Sequence, residues 1–402
     1  MALIASAVFN SSLLPTVQPL SQTTYPSIDD IVARHSPAKT IVDKYATPVW
    51  YVIGFPCNVM SFLVWIRPRM RHSSGCYLAA LAMVDLVFLV LQLVFELETT
   101  WQMGLLNAPV LCEGFPIVFL TSQYLSPVLV LCFTVERYIS VCHPFKREKY
   151  CSTSRAIKVI TSIVMSCLLL NLIQGYFWTY NGDECSLREE VIAQETTSLW
   201  SLWTWVTEML VFGAVPLTIL ILDLMVICET RKLSQLEEKR ICLKQKRNKK
   251  SGTSATTAML LAVSFYLIFT TLPVTVCYTL FYNFPAGDAT LDDAQIDADP
   301  TWQNYFTYWL TRAVIQEIGM SHYACNFIIY CLKGKVFREE VRRLLVELMC
   351  CRDKSQNIWH TRSTHFDDMS SRRASTRSAL YDQVTAHDTR ARAVHPGGAT
   401  DI

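Results

Sequence analysis

The 402-residue sequence predicts an all-α membrane protein, a seven-transmembrane helix bundle with a short amphipathic helix on its cytoplasmic side. Three observations predict it. Charged residues make up 17% of the chain, against about 25% in a soluble average. Seven stretches are apolar for long enough to cross a bilayer, which takes about 20 residues of helix. Lysine and arginine collect in alternate connections, as they do in cytoplasmic loops.

Residues 1–45 are expected to form an extracellular N-terminal segment, with Asn10-Ser11-Ser12 as a glycosylation acceptor. Met1 to Phe9 lacks the basic start of a secretory signal, so the first span is expected to act as the targeting element. The bundle occupies residues 46–332, with spans at 46–66, 76–95, 115–135, 157–177, 202–227, 256–282 and 304–332; Arg312 and Glu317 interrupt the last. Arg67, Arg69 and Arg71 mark the first loop as internal, and Lys146, Arg147 and Lys149 the second. Arg231 to Lys250 holds nine basic residues against Glu237 and Glu238 and is internal too. The opposite connections are acidic: Trp178 to Trp200 has five acids and only Arg188, and Ser251 to Thr311 has no lysine or arginine. Residues 333–351 follow as an amphipathic helix along the inner leaflet, ending in Cys350-Cys351, a pair suited to palmitoylation or left as free thiols. Residues 352–402 are polar and are expected to be a disordered cytoplasmic tail.

Polar residues inside spans are costly and need partners. Asp85 sits mid-span in Leu81-Ala82-Met83-Val84-Asp85-Leu86-Val87 and must face the bundle interior. Glu136-Arg137-Tyr138 closes a stretch from Leu86 to Val135 without lysine or arginine, 25 positions after Cys112, and Cys142-His143-Pro144-Phe145 follows at once. A membrane helix here delivers an acid and a base to its cytoplasmic mouth, where Glu136 can neutralise Arg137. From about Val49 to Cys351 the chain resembles rhodopsin-like (class A) G-protein-coupled receptors, whose third helix begins with a disulfide cysteine and ends in Asp/Glu-Arg-Tyr.

That resemblance implies a G-protein switch built from Glu136, Arg137, Tyr138, Asn326 and Tyr330, with the sixth helix swinging about Pro273. It implies an allosteric sodium ion at Asp85, Ser126 and Asn326, with Asn58 as a neighbour; a simply hydrogen-bonded or protonated Asp85 is the alternative. The chain departs from the family pattern at Thr271, where a tryptophan usually precedes the proline, at Leu224 in place of a tyrosine, and at Phe327 in place of a proline. The fourth span has no tryptophan. The motifs Val135 to Phe145 and Cys325 to Leu332, with the basic third loop, look most like invertebrate FMRFamide-type neuropeptide receptors, which bind short amidated peptides ending in Arg-Phe.

Of fifteen cysteines, topology clearly places only Cys112 and Cys185 in oxidising space, and they are expected to be bonded. Phe119 stands seven residues after Cys112, where amine receptors have an aspartate, so an amine ligand is disfavoured. The seventh span has no lysine to carry retinal. Candidate ligand-binding residues are Glu96, Glu98, Phe119, Gln123, Glu208, Arg312 and Glu317. Asp288, Asp292, Asp293, Asp297 and Asp299 would add a negative mouth that attracts a cationic peptide, or would only keep the outer surface soluble. Trp101, Phe119, Tyr124, Trp302 and Tyr308 could take the aromatic parts of such a peptide.

The expected partners are an extracellular, cationic peptide ligand, a heterotrimeric G protein and membrane lipids, together with arrestin and receptor kinases acting on Ser370, Ser371, Ser375, Thr376 and Ser378. The expected location is the plasma membrane, with the N-terminus outside; nucleic acid and cofactors other than sodium are not implied. A lipid or other small molecule is the alternative ligand. A transporter is disfavoured because the seven spans show no internal repeat. An enzyme is disfavoured because His322, the one histidine within a span, lacks any hydrolase motif and reads as a polar contact near Asp85.

Overall fold

A computed structural model describes residues 28–182, 184–192, 198–243 and 252–349, with the backbone alone at 29, 237–243, 252–256 and 282. Asn10, Lys244 to Lys250, Cys350, Cys351 and the tail with its serines lie outside the described residues. The chain is helical, in keeping with the expected bundle. Seven long helices run through it: α1 (Thr47–Trp65), α2 (Ser73–Thr99), α3 (Pro109–Cys142), α4 (Thr153–Asn171), α5 (residues 199–243), α6 (Gly252–Thr279) and α7 (Pro300–Lys333). Among the described residues, six are long and apolar enough to cross a membrane. The other is α7, which carries Arg312, Glu317 and Lys333.

Helix starts follow from local chemistry. Proline occupies the first turn of α1, α3 and α7, where its missing N–H costs nothing. The Ser198 hydroxyl accepts the Ser201 N–H (3.1 Å) to begin α5, and Asp299 accepts the N–H groups of Thr301 and Trp302 (both 3.3 Å) to begin α7. Within α5 the backbone loosens into a π-helical turn over Met209–Ala214, just before Pro216. Proline deprives the carbonyl four residues earlier of its donor. That carbonyl belongs to Phe212, and Thr275 Oγ1 of α6 donates to it at 2.8 Å. Such external repair is what lets prolines persist in membrane helices.

Packing runs α1 against α2 and α7, α2 against α3, α3 against α5, and α6 against α7. An aromatic stack joins α2, α3 and α7: Phe88 lies 3.9 Å from Tyr323 and 5.6 Å from Phe119 by ring centroids. Large apolar side chains on the outer faces stay exposed, as at Phe269 (70%), which suits a hydrocarbon solvent rather than water.

At one end of the bundle a hairpin pairs β1 (Trp178–Tyr180) with β2 (Cys185–Leu187), antiparallel, with Tyr180 opposite Cys185. The Cys112–Cys185 disulfide fastens it to the start of α3, and Asn107 Oδ1 accepts the Cys185 N–H (3.2 Å). At the same end a short helix, Ile28–His35, buries Ile31 and Val32 against Ile296, Trp302 and Phe306. Residues 335–349 are helical, and from Glu339 onward they form a separate unit in which Arg343 pairs with Glu340 (3.0 Å).

Candidate functional site

Polar groups inside the bundle gather at three levels. Nearest the disulfide, a crevice of about 600 Å³, its open mouth included, lies between α3, α5, α6 and α7. Its polar lining includes Gln123, Glu208, Gln316 and His322, set among Phe88, Phe212 and Tyr323. Glu208 is 5% exposed, and Tyr124 Oη donates to its Oε1 at 3.2 Å. Thr271 opens the floor: its hydroxyl turns back to the Leu267 carbonyl (2.7 Å), and where a tryptophan would fill the space only a threonine stands.

Midway down, Asp85 is fully buried. Its Oδ1 accepts from Ser126 Oγ (2.8 Å) and its Oδ2 from Asn326 Nδ2 (2.8 Å). Asn58 turns away, donating to the Tyr323 carbonyl (2.7 Å).

At the far end, Glu136 accepts from both Ser73 and Ser74 at the start of α2, the latter at 2.8 Å. Arg137 Nη2 donates to the same Ser74 hydroxyl at 2.9 Å. Ser74 therefore bridges the acid and the base. Among the described residues no ion pair within 4 Å joins Glu136 to Arg137, and Ser74, which sequence reading did not single out, links the two by hydrogen bonds. Tyr138 lies edge-on to His143 (5.5 Å), and Tyr330 lies edge-on to Trp65 (5.5 Å).

Seven long helices, a disulfide tying the third to an outer hairpin, and a Glu-Arg-Tyr end converge with a sequence match: a family model described as 7 transmembrane receptor (rhodopsin family) covers residues 58–330. The chain belongs to the rhodopsin family of seven-transmembrane receptors. This rhodopsin-family chain is 38% identical to the thyrotropin-releasing hormone receptor of Gallus gallus over 117 residues, 27% of the chain and 28% of that protein. The match thus spans little more than a quarter of that relative's length. The human growth hormone secretagogue receptor type 1 is 25% identical over 362 residues, 83% of the chain and 90% of the relative. Human G-protein coupled receptor 68 is 30% identical over 180 residues, 41% and 45%.

In this rhodopsin-family bundle the ligand candidates separate. Gln123 and Glu208 line the crevice. Phe119 is instead buried in the aromatic stack. Glu317 accepts from Thr47 (2.8 Å) and Trp50 (2.9 Å) of α1, and with Glu96 and Tyr51 it makes a polar cluster between α1, α2 and α7. Glu98 accepts the Leu106 N–H (3.2 Å) and so shapes the α2–α3 connection. Arg312 is buried, its guanidinium 4.6 Å from the Trp309 ring centroid. These five have local work that linear order could not show.

The aspartates of the negative mouth likewise have structural partners. Asp292 forms a capping box with Gln295, Asp299 caps α7, and Asp293 and Asp297 lie 3.3 and 2.7 Å from the two ring nitrogens of His35. Asp288 accepts from the Thr290 N–H and hydroxyl, which hold its carboxyl below the usual carboxylate range. Trp302 and Tyr308 donate to backbone carbonyls, those of Asp288 and Cys277, rather than facing the crevice.

His322 is not a partner of Asp85. Its Nδ1 donates to the Gly319 carbonyl (2.5 Å), and the ring borders the crevice. Asp223 was missed entirely. It is buried on α5 at the Arg137 end, and the signal was available: an acid inside an apolar span, in Ile219-Leu220-Ile221-Leu222-Asp223-Leu224.

Proposed function

We propose that this chain is a plasma-membrane receptor, its N-terminus outside, that couples a cationic extracellular ligand, a short basic or amidated peptide, to heterotrimeric G proteins. The observation that carries the reading is Glu208, a buried carboxylate held by Tyr124 at the wall of an open crevice. A carboxylate in low dielectric attracts a guanidinium or ammonium strongly and disfavours a neutral substitute. Relatives named for a releasing hormone and a growth hormone secretagogue support a hormone-like ligand. The FMRFamide-type resemblance rests on the Val135 to Phe145 and Cys325 to Leu332 motifs.

The other end supplies the output. Arg137 would meet the G protein, in a switch it forms with Glu136, Tyr138, Asn326 and Tyr330, and a phosphorylated tail would recruit arrestin after receptor kinases act. Palmitoyl groups on Cys350 and Cys351 would add a lipid anchor, and Asn10 would carry a glycan. The Asp85 carboxylate and the Ser126 hydroxyl are oxygen donors fit for a sodium ion; Asn326 now turns its amide nitrogen to Asp85. Bound there, sodium would neutralise the carboxylate and favour the resting state.

The largely apolar lining, Phe88, Phe212, Val274 and Met320 among it, favours a second reading, a lipid or other small-molecule ligand. An amidated-peptide library applied to cells expressing the chain, read by calcium and cyclic nucleotide, decides between them. The expected result is a saturable response to Arg-containing peptides, lost in Arg137→Ala and weakened at least tenfold in Glu208→Gln at equal surface expression. Responses to lipids alone would overturn the peptide assignment.

A further inference from the structure

Arg137 and Asp223 line one small crevice between α3, α5 and α6, and each keeps a buried polar atom without a hydrogen-bond partner among the described residues: Nε of Arg137 and Oδ2 of Asp223. Asp223 is 2% exposed, whereas its neighbours Leu224 and Met225 turn outward at 50% and 45%. Helix α5 is therefore rotated so that the acid, and not the flanking leucine, points into the bundle. A carboxylate is costly to bury unless paired. The two idle atoms, a carboxylate oxygen and a guanidinium N–H, border one crevice, and their opposite charges suit an alternative pairing.

The guanidinium has the donors for it. It offers five N–H groups in a planar fork, and among the described residues its one side-chain hydrogen bond runs from Nη2 to Ser74 of α2. The edge that contains Nε is the edge that can meet a carboxylate side-on. The opposite wall of the crevice is α6, through Thr257, Leu260, Leu261 and Ser264. Thr134 of α3 lies 3.3 Å from Ser264 across it. Movement of α6 would therefore change the crevice that Arg137 and Asp223 share.

We propose that Asp223 is a second seat for Arg137: in one state the guanidinium is hydrogen-bonded to Ser74 on α2, and in the other it pairs through its Nε edge with Asp223 on α5. Asp223 thus positions the switch arginine for output. That the second seat favours G-protein activation rests on the function proposed above; the pairing itself does not.

The experiment is a double-mutant cycle on the purified full-length receptor in nanodiscs. Ser74→Ala removes one seat, Asp223→Asn removes the charge of the other, and the double variant removes both. The thermal midpoint is expected to fall further in the double variant than the two single shifts summed, because only there does Arg137 lose both partners. Additive shifts would overturn the proposal. The same four proteins are then mixed with purified heterotrimeric G proteins and basal nucleotide exchange is measured. Ser74→Ala should raise exchange at least twofold, and Asp223→Asn should cancel that rise, a reversal that a purely structural role for Asp223 would not produce. A rise that survives Asp223→Asn would overturn the positioning role. Should the unaltered chain and all its variants be inert toward every G protein, the receptor reading fails, while the thermal cycle still decides the pairing.

Discussion

Helix α5 carries two buried acids, Glu208 and Asp223, fifteen positions and about 22 Å of helical rise apart, and the bundle treats them differently. Glu208 is held by a tyrosine and faces a roomy crevice. Asp223 has an unbonded oxygen and faces a crevice of about 180 Å³ shared with Arg137. The same residue class in the same helix thus meets two different surroundings. In the function proposed above, Glu208 recognises a charge that arrives from outside, because a preorganised carboxylate needs no further adjustment. In the pairing proposed above, Asp223 instead gains a partner by rearrangement inside the protein.

The largest expected effect comes from releasing the fixed end. Cys112→Ser cuts the hairpin loose from α3, and a loss of about 2–5 kcal/mol is expected, read as a lower thermal midpoint and reduced surface expression. Glu136, Ser74 and Arg137 should keep their arrangement; if the Arg137 end loses protection from amide exchange as much as the hairpin does, the two ends are not independent.

Next are the acids themselves. Glu208→Leu removes the charged acceptor of the buried Tyr124 hydroxyl, which keeps only Thr207 Oγ1 (3.2 Å), and should cost about 1.5–3 kcal/mol. Asp223→Leu removes a carboxylate that is only partly bonded and should leave thermal stability unchanged or higher. Equal losses at both positions would erase the distinction between them.

Thr275→Val tests the repair between α5 and α6. Removing the donor to the Phe212 carbonyl should cost about 0.6 kcal/mol, at most about 1.7, the range for hydrogen bonds between membrane helices, as a small fall in thermal midpoint. A larger loss would mean that the π-helical turn depends on this bond.

The smallest effect belongs to His35. Its ring is 9% exposed but pairs with Asp297 and Asp293, each 66% exposed, so the pairs are screened by solvent and His35→Ala should speed amide exchange in Ile28–His35 while the lost pairs lower stability by under about 1 kcal/mol. Unchanged exchange would assign the anchoring of that helix to Ile31 and Val32 instead.

What the sequence determined by itself is local or periodic. Apolar runs of membrane length, basic residues in alternate connections and a Glu-Arg-Tyr end can be read along the chain, because the cost of burying a charge or an unpaired backbone group in lipid applies wherever that charge or group stands. The same rule made Asp85 legible as an inward-facing residue, and it applied equally to Asp223. Tertiary structure decided the pairings: Ser74 between Glu136 and Arg137, Glu317 committed to α1, and five loop aspartates employed as caps and clasps. Each of these depends on how helices far apart in sequence are rotated about their own axes. A turn of one residue, about 100° in an α-helix, exchanges Asp223 for Leu224 at the crevice, and that rotation is settled by packing against neighbours that no single segment specifies.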